Sequence, residues 1–331
     1  MEFQSHTQES TFHSPLEDFE RVTETVEVRE DPLTGRTARV ADGAFVMPDD
    51  YDIEAFVGDD EGCFFCPDMV GDATPTYPEW MGQERGTRGE ATSFPNLNPY
   101  GSYSNVVALT ETHFQPMEEF TVRQFADGFG AALAFVRGAR GHDAEATRAS
   151  VNMNFLRSAG SSLVHPHMQT LVDGRGTNEQ RTLLEASREY REAEGSVYWR
   201  DLVAEERGGE RWIGETDGVS WLAPFAPKHH RHVVGVLDVD AAPAPDDAVV
   251  AGLAEGLTNV LASYAEAGLN AFNLALHLPD DEAMPPVINV IGRAVFDEYY
   301  WSDSPFFTVL HDEGVVATPP EEYAAAARGE F

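Results

Sequence analysis

The sequence is poorest in positive charge: 57 acidic residues stand against 22 basic ones, and Lys228 is the only lysine. The formal net charge of the 331-residue chain is −35. A surface of this sign repels nucleic acid and anionic membranes, so neither is expected as a partner. The acidic residues are spread along the chain, not gathered in a tail. With so little lysine, this spread is typical of a high-salt cytosol, where screening shortens charge repulsion to about 3 Å at 1 M.

Long hydrophobic runs are missing as well. No segment approaches the ~20 consecutive apolar residues that a membrane-spanning helix needs. Residues 1–20 are polar and contain no signal-peptide hydrophobic region. We therefore expect a cytoplasmic protein that does not enter membranes, with residues 1–20 as a flexible N-terminal arm. The hydrophobic fraction of 42% is sufficient for one large domain or two of ordinary size.

Cysteine is nearly absent, since Cys63 and Cys66 are the only two. This excludes a disulfide framework, and two thiols separated by two residues indicate metal ligands or a redox pair. A redox pair of the thioredoxin kind opens a helix after a strand. The pair here lies in a loop among Gly62, Pro67 and acidic residues, which favours a metal site.

One run is dense in residues that carry chemistry: His165-Pro166-His167-Met168-Gln169. In an extended strand alternate side chains share a face, so His165, His167 and Gln169 are predicted to line one wall. The preceding segment 159–164 is rich in glycine and serine, and its backbone N–H groups can bind an anion. Two imidazoles beside such a loop suit chemistry on a phosphoryl group. An isolated H-x-H would instead indicate two half-buried strand histidines.

The predicted elements repeat once along the chain. In each repeat a strand, a long amphipathic helix and two further strands follow one another. The predicted helices cover about residues 117–140 and 246–267, and the next strands begin near 151 and 272. A β-hairpin at 25–40 precedes the first repeat. The repetition predicts an α+β fold of two halves, with antiparallel sheets and one long helix per half. Chance similarity between two ordinary α+β segments is the alternative.

The two repeats differ in their chemistry. When they are aligned, Asn154 matches Asn273, and His165–Gln169 match Pro286–Val290. The second copy has therefore lost both histidines. We expect residues 21–175 to form the half that carries the chemistry, with the Cys-x-x-C loop and the H-P-H run. Residues 176–331 are expected to form a degenerate second half with a C-terminal tail.

Together these motifs resemble the galactose-1-phosphate uridylyltransferase family, the long-chain branch of the histidine-triad superfamily. The segment Asn154–Gln169 is similar to its active-site segment, and Cys63-Phe64-Phe65-Cys66-Pro67 to its metal-binding knuckle. Three further matches follow in the family's order: the hairpin turn Asp31–Gly35, the segment Phe94–Asn96 and the run Trp221–Phe225. The resemblance spans roughly residues 28–295 and implies two fused histidine-triad-like halves.

The resemblance assigns the nucleophile to His167, the second histidine of the H-P-H-x-Q pattern. A neutral imidazole can attack an α-phosphorus and hold the nucleotidyl group until an acceptor takes it. Gln169 is then expected to hydrogen-bond the transferring phosphoryl group. Substrate contacts are expected from four residues: Asn96, Asn154, Ser161 and Ser162. The alternatives are a metal-ligand role for His167 and ordinary turn or strand-end roles for the asparagines.

The resemblance also implies zinc, because the matching positions carry zinc in some members of the family. The expected ligands are Cys63, Cys66, His113 and His165. Two thiolates and two imidazoles suit a closed tetrahedral zinc site. Such a site would tie the long cysteine-containing loop to the strand that bears His167. For His113 the alternative is a surface histidine after a strand.

The expected activity is the transfer of UMP from a UDP-hexose to a hexose 1-phosphate by double displacement, in a homodimer. Family members often follow the hairpin with several phosphate-binding arginines, whereas residues 38–49 contain only Arg39. Arg85, Arg88 and Arg157 are candidates to replace them. Two alternatives stay open: a phosphorylase or hydrolase acting on a nucleotide sugar or dinucleotide, and a non-catalytic, zinc-stabilised nucleotide-binding module.

Overall fold

The computed structural model describes residues 1–41, 53, 57–58, 61–294 and 304–331. In these ranges the strands are β1 (Gln4–Ser14), β2 (Glu20–Glu30), β3 (Thr37–Val40), β4 (Gly86–Arg88), β5 (Ala91–Pro95), β6 (Tyr103–Ala108), β7 (Arg148–Phe155), β8 (His167–Asp173), β9 (Trp212–Thr216), β10 (Val219–Leu222), β11 (Val233–Leu237), β12 (Ala271–Pro279), β13 (Val287–Arg293) and β14 (Gly314–Val316). The α-helices there are α1 (Pro67–Ala73), α2 (Val122–His142), α3 (Asn178–Glu194), α4 (Tyr198–Glu206), α5 (Ala248–Glu266), α6 (Phe306–His311) and α7 (Pro320–Ala327).

Ten strands form one antiparallel sheet in the order β4-β5-β6-β8-β7-β12-β13-β11-β10-β9. Each half contributes five strands, and in each half the fifth strand lies between the third and the fourth. The two fourth strands, β7 and β12, pair at the centre of the sheet. A long helix, α2 or α5, connects the third strand to the fourth. This confirms the predicted α+β fold of two halves with one long helix each.

The register of β7 against β12 locates the local twofold axis that relates the halves. Asn154 pairs with Asn273, its own counterpart in the repeat, so the axis passes between these two residues. In the second half Ile291 lies opposite Asn273 and takes the position of His167. The predicted match of His165–Gln169 with Pro286–Val290 is therefore wrong by three residues. Strand β13 is mostly apolar, so the alignment of the two repeats had no polar residue to fix its register. Ile288, the residue predicted to match His167, faces the core helices.

Helices α2 and α5 pack side by side on one face of the large sheet and form the main core. Thr121 caps α2 through a reciprocal pair of bonds with Gln124, so the helix begins at Val122 and not near residue 117. Helix α5 is the one helix of the described residues long and apolar enough to cross a membrane. However, 61% of that window is buried inside the fold, which makes α5 a core helix.

Side chains alternate along β8, and this alternation decides which of them lie on the face of the sheet away from α2 and α5. Met168 and Val172 point into the core beneath α2, so His167 and Gln169 lie on the other face. In the second half α3 and α4 cover this other face, with Trp199 and Leu202 among the packing residues. Near the centre the same face carries polar side chains from neighbouring strands: Asn152, Asn154, Asn273, Asn289 and Arg293.

The N-terminal residues form a strand and not the predicted flexible arm. Strand β1 pairs with β2 along its full length, from Gln4 opposite Glu30 to Ser14 opposite Glu20. Nearly all of its residues are exposed on both faces, so its sequence shows no alternation of apolar residues. Backbone pairing holds it in place.

The predicted hairpin at 25–40 is confirmed, because β2 pairs antiparallel with β3.

The small sheet ties the start of the chain to its end. Strand β14 pairs in parallel with β3, next to β2 and β1. Arg29 binds both carboxylate oxygens of Glu321 at 2.9 and 3.0 Å, and Arg211 also reaches Glu321 at 3.1 Å. Arg36 donates to the carbonyl oxygen of Ala226 at 2.6 Å. The hairpin is thus joined to the second half of the molecule.

Two buried histidines of the second half should make stability depend on pH. Burial lowers the pKa of His232 to about 3 and that of His277 to about 4, below the ~6.5 of an unfolded chain. The unfolded chain therefore takes up these protons first, and the free energy of unfolding falls as pH drops from about 6.5 to 4. Each histidine should contribute about 1.4 kcal/mol per pH unit. Urea denaturation of the wild type and of His277→Gln between pH 7.5 and 4.5 measures this. We expect a shallower slope below pH 6.5 in the variant and equal slopes above it; equal slopes throughout would contradict the prediction.

Candidate active site

His167 is the first residue of β8 and lies on the face of the sheet away from the core helices. Its Nδ1 is 2.9 Å from the carbonyl oxygen of His165, which can only accept, so Nδ1 carries the proton and donates. The lone pair is therefore on Nε2. Burial lowers the pKa of His167, whose residue is 7% exposed, so the imidazole is neutral at pH 7. A neutral ring with a free Nε2 lone pair is a nucleophile.

An apolar wall borders this imidazole. The ring of Phe65 lies 5.3 Å from the ring of His167 and also 5.3 Å from that of Phe94. Phe94 packs with Val106 and Ala108 on the same face of the sheet. Ala108 pairs with His167 in the ladder, and its small side chain leaves room beside the ring. Apolar walls with a few polar groups are typical of small-molecule sites.

Cys63, Cys66, His113 and His165 form a cluster next to this wall. Their four ligand atoms all lie within 4.8 Å of one another. The Nδ1 atom of His165 is 3.7 Å from Cys63 Sγ and 3.6 Å from Cys66 Sγ, and His113 Nδ1 is 3.5 Å from Cys66 Sγ. A tetrahedral zinc ion with ordinary Zn–S and Zn–N bonds has sulfur–nitrogen edges of about 3.6 Å. The cluster therefore has the donor atoms and spacings of a metal site, and zinc at it stays a prediction.

Neighbouring backbone groups orient the ligands. His165 Nε2 donates to the carbonyl oxygen of Thr110 at 2.8 Å, which directs the unprotonated Nδ1 toward the thiols. Burial lowers the pKa of His165 to about 4, so this ring too is neutral. On the cysteine side, α1 begins directly after Cys66, and Met69 and Val70 donate to the carbonyl oxygen of Cys66 at 2.9 Å each. The short helix thus holds the Cys-x-x-Cys turn.

His165 lies just before the strand, so alternation along the strand applies to His167 and Gln169 and not to His165. The ring of Phe65 nevertheless lies against both imidazoles, at 6.1 Å from His165 and 5.3 Å from His167. Pairing of β8 with β6 starts at His167, and His165 precedes the strand. Pro166 has no N–H group to donate to the ladder, although its carbonyl accepts from Leu109 at 2.9 Å. The His165 ring is directed to the cysteines, while Gln169 follows His167 on the strand as predicted. His165 thus belongs to the cluster through its ring and bonds His167 through its backbone carbonyl.

The glycine- and serine-rich loop before His165 is tightly turned. Leu156 has a positive φ of 66°, unusual for a residue with a branched side chain, and Gly160 has a φ of 89°. A 3-10 turn at Arg157–Ala159 separates them. Ser161 N–H donates to the carbonyl oxygen of Leu156 at 3.1 Å and closes the loop.

The predicted substrate-binding residues are brought to this face, but several side chains have internal partners. The Ser161 hydroxyl donates to the carbonyl oxygen of Leu163 at 2.6 Å, whereas Ser162 is exposed. Asn154 Oδ1 accepts from Asn273 at 2.7 Å. Asn96 Oδ1 accepts from the backbone N–H of Asn98 at 3.0 Å, as a turn asparagine does. Their contacts with substrate stay predictions.

The arginines offered as phosphate ligands are mostly engaged elsewhere. Arg85 donates to Thr74 Oγ1 at 2.9 Å, and Arg88 binds Asp127 and Asp246 beside the core helices. Arg39 pairs with Glu313 at 2.8 Å. Of the candidates, Arg157 lies in the loop before His165, and it is exposed. Residues 42–49, the rest of the expected basic segment, lie outside the described residues.

Sequence reasoning missed that two side chains of the second half bond the loop before His165. Asn273 donates from Nδ2 to the carbonyl oxygen of Ala159 at 2.7 Å, and Arg293 donates from Nη2 to that of Ser158 at 2.5 Å. The pairing of Asn154 with Asn273 in the repeat was a usable signal for the first. The role of Arg293 was missed because the repeats were aligned in the wrong register. In the correct register Arg293 takes the position that Gln169 has in the first half.

No model of a protein family matches the chain. A protein of Archaeoglobus fulgidus whose function is uncharacterised is 36% identical over 305 residues, which cover 92% of each chain. Two solved structures share the fold at low identity. The ADP-glucose phosphorylase of Arabidopsis thaliana, with bound ADP-glucose, has a TM-score of 0.70 and 17% identity, over 92% of this chain and 98% of its own. A uridylyltransferase has a TM-score of 0.66 and 20% identity, over 92% of this chain and 97% of its own.

At such low sequence identity, the likeness to the two solved structures shows the fold alone. The archaeal relative, in contrast, is similar in sequence over nearly the whole chain. The chain belongs to the family of that Archaeoglobus protein, and it shares its fold with the ADP-glucose phosphorylase and the uridylyltransferase.

Proposed function

We propose that the chain is a nucleotidyltransferase that works by double displacement through His167. The observation that carries the proposal is the state of this side chain: a buried, neutral imidazole whose Nδ1–H is held by the His165 carbonyl and whose Nε2 is left to react. The shared fold with a uridylyltransferase and an ADP-glucose phosphorylase supports an enzyme of this kind.

In the first step Nε2 of His167 attacks the α-phosphorus of a nucleotide sugar. The N–P bond forms, the bond from phosphorus to the bridging oxygen breaks, and the hexose 1-phosphate leaves with that electron pair. The carbonyl of His165 stabilises the positive charge that develops on the ring, through the Nδ1–H bond of 2.9 Å. In the second step an acceptor phosphate oxygen attacks the same phosphorus, the N–P bond breaks, and the neutral imidazole is restored.

The other predicted residues have supporting roles in this proposal. Gln169, next to His167 on the same face of β8, hydrogen-bonds the transferring phosphoryl group. Ser161 and Ser162 lie in the loop whose backbone N–H groups bind its oxygens, apart from Ser161 N–H, which donates to Leu156 O. Asn96 and Asn154 border the nucleotide. Arg157 is the arginine placed to balance phosphate charge.

The leading donor and acceptor are a UDP-hexose and a hexose 1-phosphate, as the family resemblance implies. One observation favours a second candidate, a nucleotide-sugar phosphorylase that uses inorganic phosphate. Arg39, Arg85 and Arg88 all have internal partners, so few cations remain for a large phosphorylated acceptor. The phosphorylase of the same fold supports this possibility. A non-catalytic binding module has no use for a nucleophile held as His167 is.

The proposed metal is zinc, bound by Cys63, Cys66, His113 and His165. Two sulfur and two nitrogen donors fit zinc, and their spacings fit a tetrahedron. With four protein ligands the site is closed, so its proposed role is to fix the loop and His165. Two cysteines that form no disulfide and serve as metal ligands suit a reducing compartment, which supports a cytoplasmic enzyme. We also propose a homodimer, as the resemblance implies.

Covalent labelling tests the nucleophile. The protein is mixed at high salt with UDP-glucose or ADP-glucose radiolabelled in the α-phosphate, quenched, and examined for acid-labile label on the chain. We expect label on the wild type and at least about 10³-fold less on His167→Gln, because the N–P bond can no longer form. His277→Gln, which removes another buried histidine of the same sheet, should be labelled like the wild type.

The same experiment separates the candidate functions. Label from UDP-glucose that a hexose 1-phosphate discharges supports the uridylyltransferase. Label from ADP-glucose that inorganic phosphate discharges supports the phosphorylase. A wild type that takes label from neither donor would contradict both and favour the binding module.

Metal analysis tests the zinc site. We expect about one zinc per chain in the wild type and a loss of most of it in Cys63→Ser and His113→Ala, because a structural zinc ion needs all four ligands. Labelling of His167 should fall with it, since His165 orients the nucleophile. His167→Gln is the matched control and should keep its zinc. Unchanged zinc in the first two variants would remove the site, and zinc loss in the control would make His167 a ligand.

A further inference from the structure

The second half of the molecule reaches across the local twofold axis to the loop that precedes His165. Two side chains make this contact, Asn273 from β12 and Arg293 from β13. Both lie on the same face of the sheet as His167. Asn273 pairs with Asn154 on the axis, and Arg293 lies beside this pair.

Arg293 joins three parts of the chain. Its Nη1 donates to Asn273 Oδ1 at 2.6 Å, and its Nη2 donates to the carbonyl oxygen of Ser158 at 2.5 Å. Nη2 also lies 3.0 Å from Ser304 Oγ in the C-terminal segment. The arginine is only 9% exposed, so these bonds are formed away from bulk water.

Asn273 links Arg293 to a second carbonyl of the loop. Because Arg293 donates to its Oδ1, the amide is oriented with Nδ2 toward the first half. Nδ2 donates to Ala159 O and to Asn154 Oδ1, both at 2.7 Å. The successive carbonyls of Ser158 and Ala159 are therefore both held by side chains of the second half.

These bonds act on a backbone that needs support. Leu156 has a φ of 66° and a ψ of 173°, a conformation that a residue with a Cβ adopts only where its surroundings impose it. Within the loop Leu156 O accepts from Ser161 N–H, and Leu163 O accepts from the Ser161 hydroxyl. Gly160 N–H and Ser161 N–H donate within the loop, to Arg157 O at 2.9 Å and to Leu156 O at 3.1 Å. With Ser158 O and Ala159 O held by the second half, an anion is left to the other N–H groups of the loop.

We infer that Arg293 and Asn273 are positioning residues: they hold the Leu156–Ser161 loop in its anion-binding form beside His167. The inference rests on the proposed function, because the anion is taken to be the phosphoryl group attacked by that histidine. Neither residue is expected to touch the reacting atoms. The half that lacks the H-P-H motif thus contributes to catalysis through the backbone of the other half.

Rapid-quench labelling with the donor that labels the wild type tests the inference. The amplitude of the labelling burst counts competent sites, and its rate constant reports on each site. For Arg293→Gln we expect the rate constant at saturating donor to fall about 30- to 100-fold with the amplitude little changed. Arg293→Lys, which keeps the charge and one donor, should recover part of the rate. A merely structural role would lower the amplitude and leave the rate constant unchanged.

Arg140 offers a matched control. Its guanidinium also bonds backbone carbonyls of both halves, Thr147 O at 3.1 Å and Leu278 O at 2.7 Å. These carbonyls lie at the other end of the β7–β12 pair from the loop. Arg140→Gln should therefore lower the thermal unfolding temperature much as Arg293→Gln does and leave the labelling rate constant at the wild-type value.

Several outcomes would overturn the inference. One is an unchanged rate constant in Arg293→Gln, and another is an equal fall in Arg140→Gln. If the wild type takes no label, the proposed function fails, and calorimetric titration with UMP and AMP decides the loop's role separately. At least a 10-fold weaker affinity in Arg293→Gln than in the wild type supports the inference. Equal affinities, or no binding to the wild type, overturn it.

Discussion

The hydrogen bond from His167 Nδ1–H to the carbonyl oxygen of His165, 2.9 Å long, is the contact on which the candidate chemistry depends. It fixes the tautomer, and therefore which nitrogen can react. It also ties His167 to the cluster of Cys63, Cys66, His113 and His165, because the residue that supplies the carbonyl directs its own Nδ1 to both cysteines. Thr110 holds the far side of that ring at 2.8 Å. A displacement of the cysteine loop would thus be transmitted to the reactive imidazole through one residue.

The centre of the sheet is polar where two halves of this kind would ordinarily bury apolar side chains. Asparagines meet on the twofold axis, and Arg293 lies beside them. Asn154 is exposed and Asn273 is half-buried, and each amide bonds another side chain or a loop carbonyl. The outer part of the second half is different, because α3 and α4 bury an apolar face there. The polar centre is therefore restricted to the region that contacts the loop before His165.

Sequence predicted the elements that obey a simple periodicity and the residues that form a dense motif. Both long helices and the duplication follow from such signals, whereas the set of Cys63, Cys66, His113 and His165 was implied by the family resemblance. Strand β1 was missed because its exposed polar residues leave no pattern, and pairing with β2 holds it. Arg85 and Arg88 were offered as phosphate ligands because sequence does not say which face of a sheet an arginine lies on. The role of Arg293 depends on the register of two apolar strands, which composition does not determine.

The charge of the chain makes the choice of phosphate-binding groups significant. Under the proposed function, a protein of net charge −35 has to bind a phosphate that most of its surface repels. Several of its cations pair with acids, as Lys228 does with Glu179 and Arg39 with Glu313, so they cannot offset that repulsion freely. Backbone N–H groups and a neutral imidazole bind phosphate without adding net charge, and they act at hydrogen-bond distance, where salt screens little. A loop whose shape is imposed by neighbouring side chains is then a more effective phosphate site than additional arginines on an acidic surface.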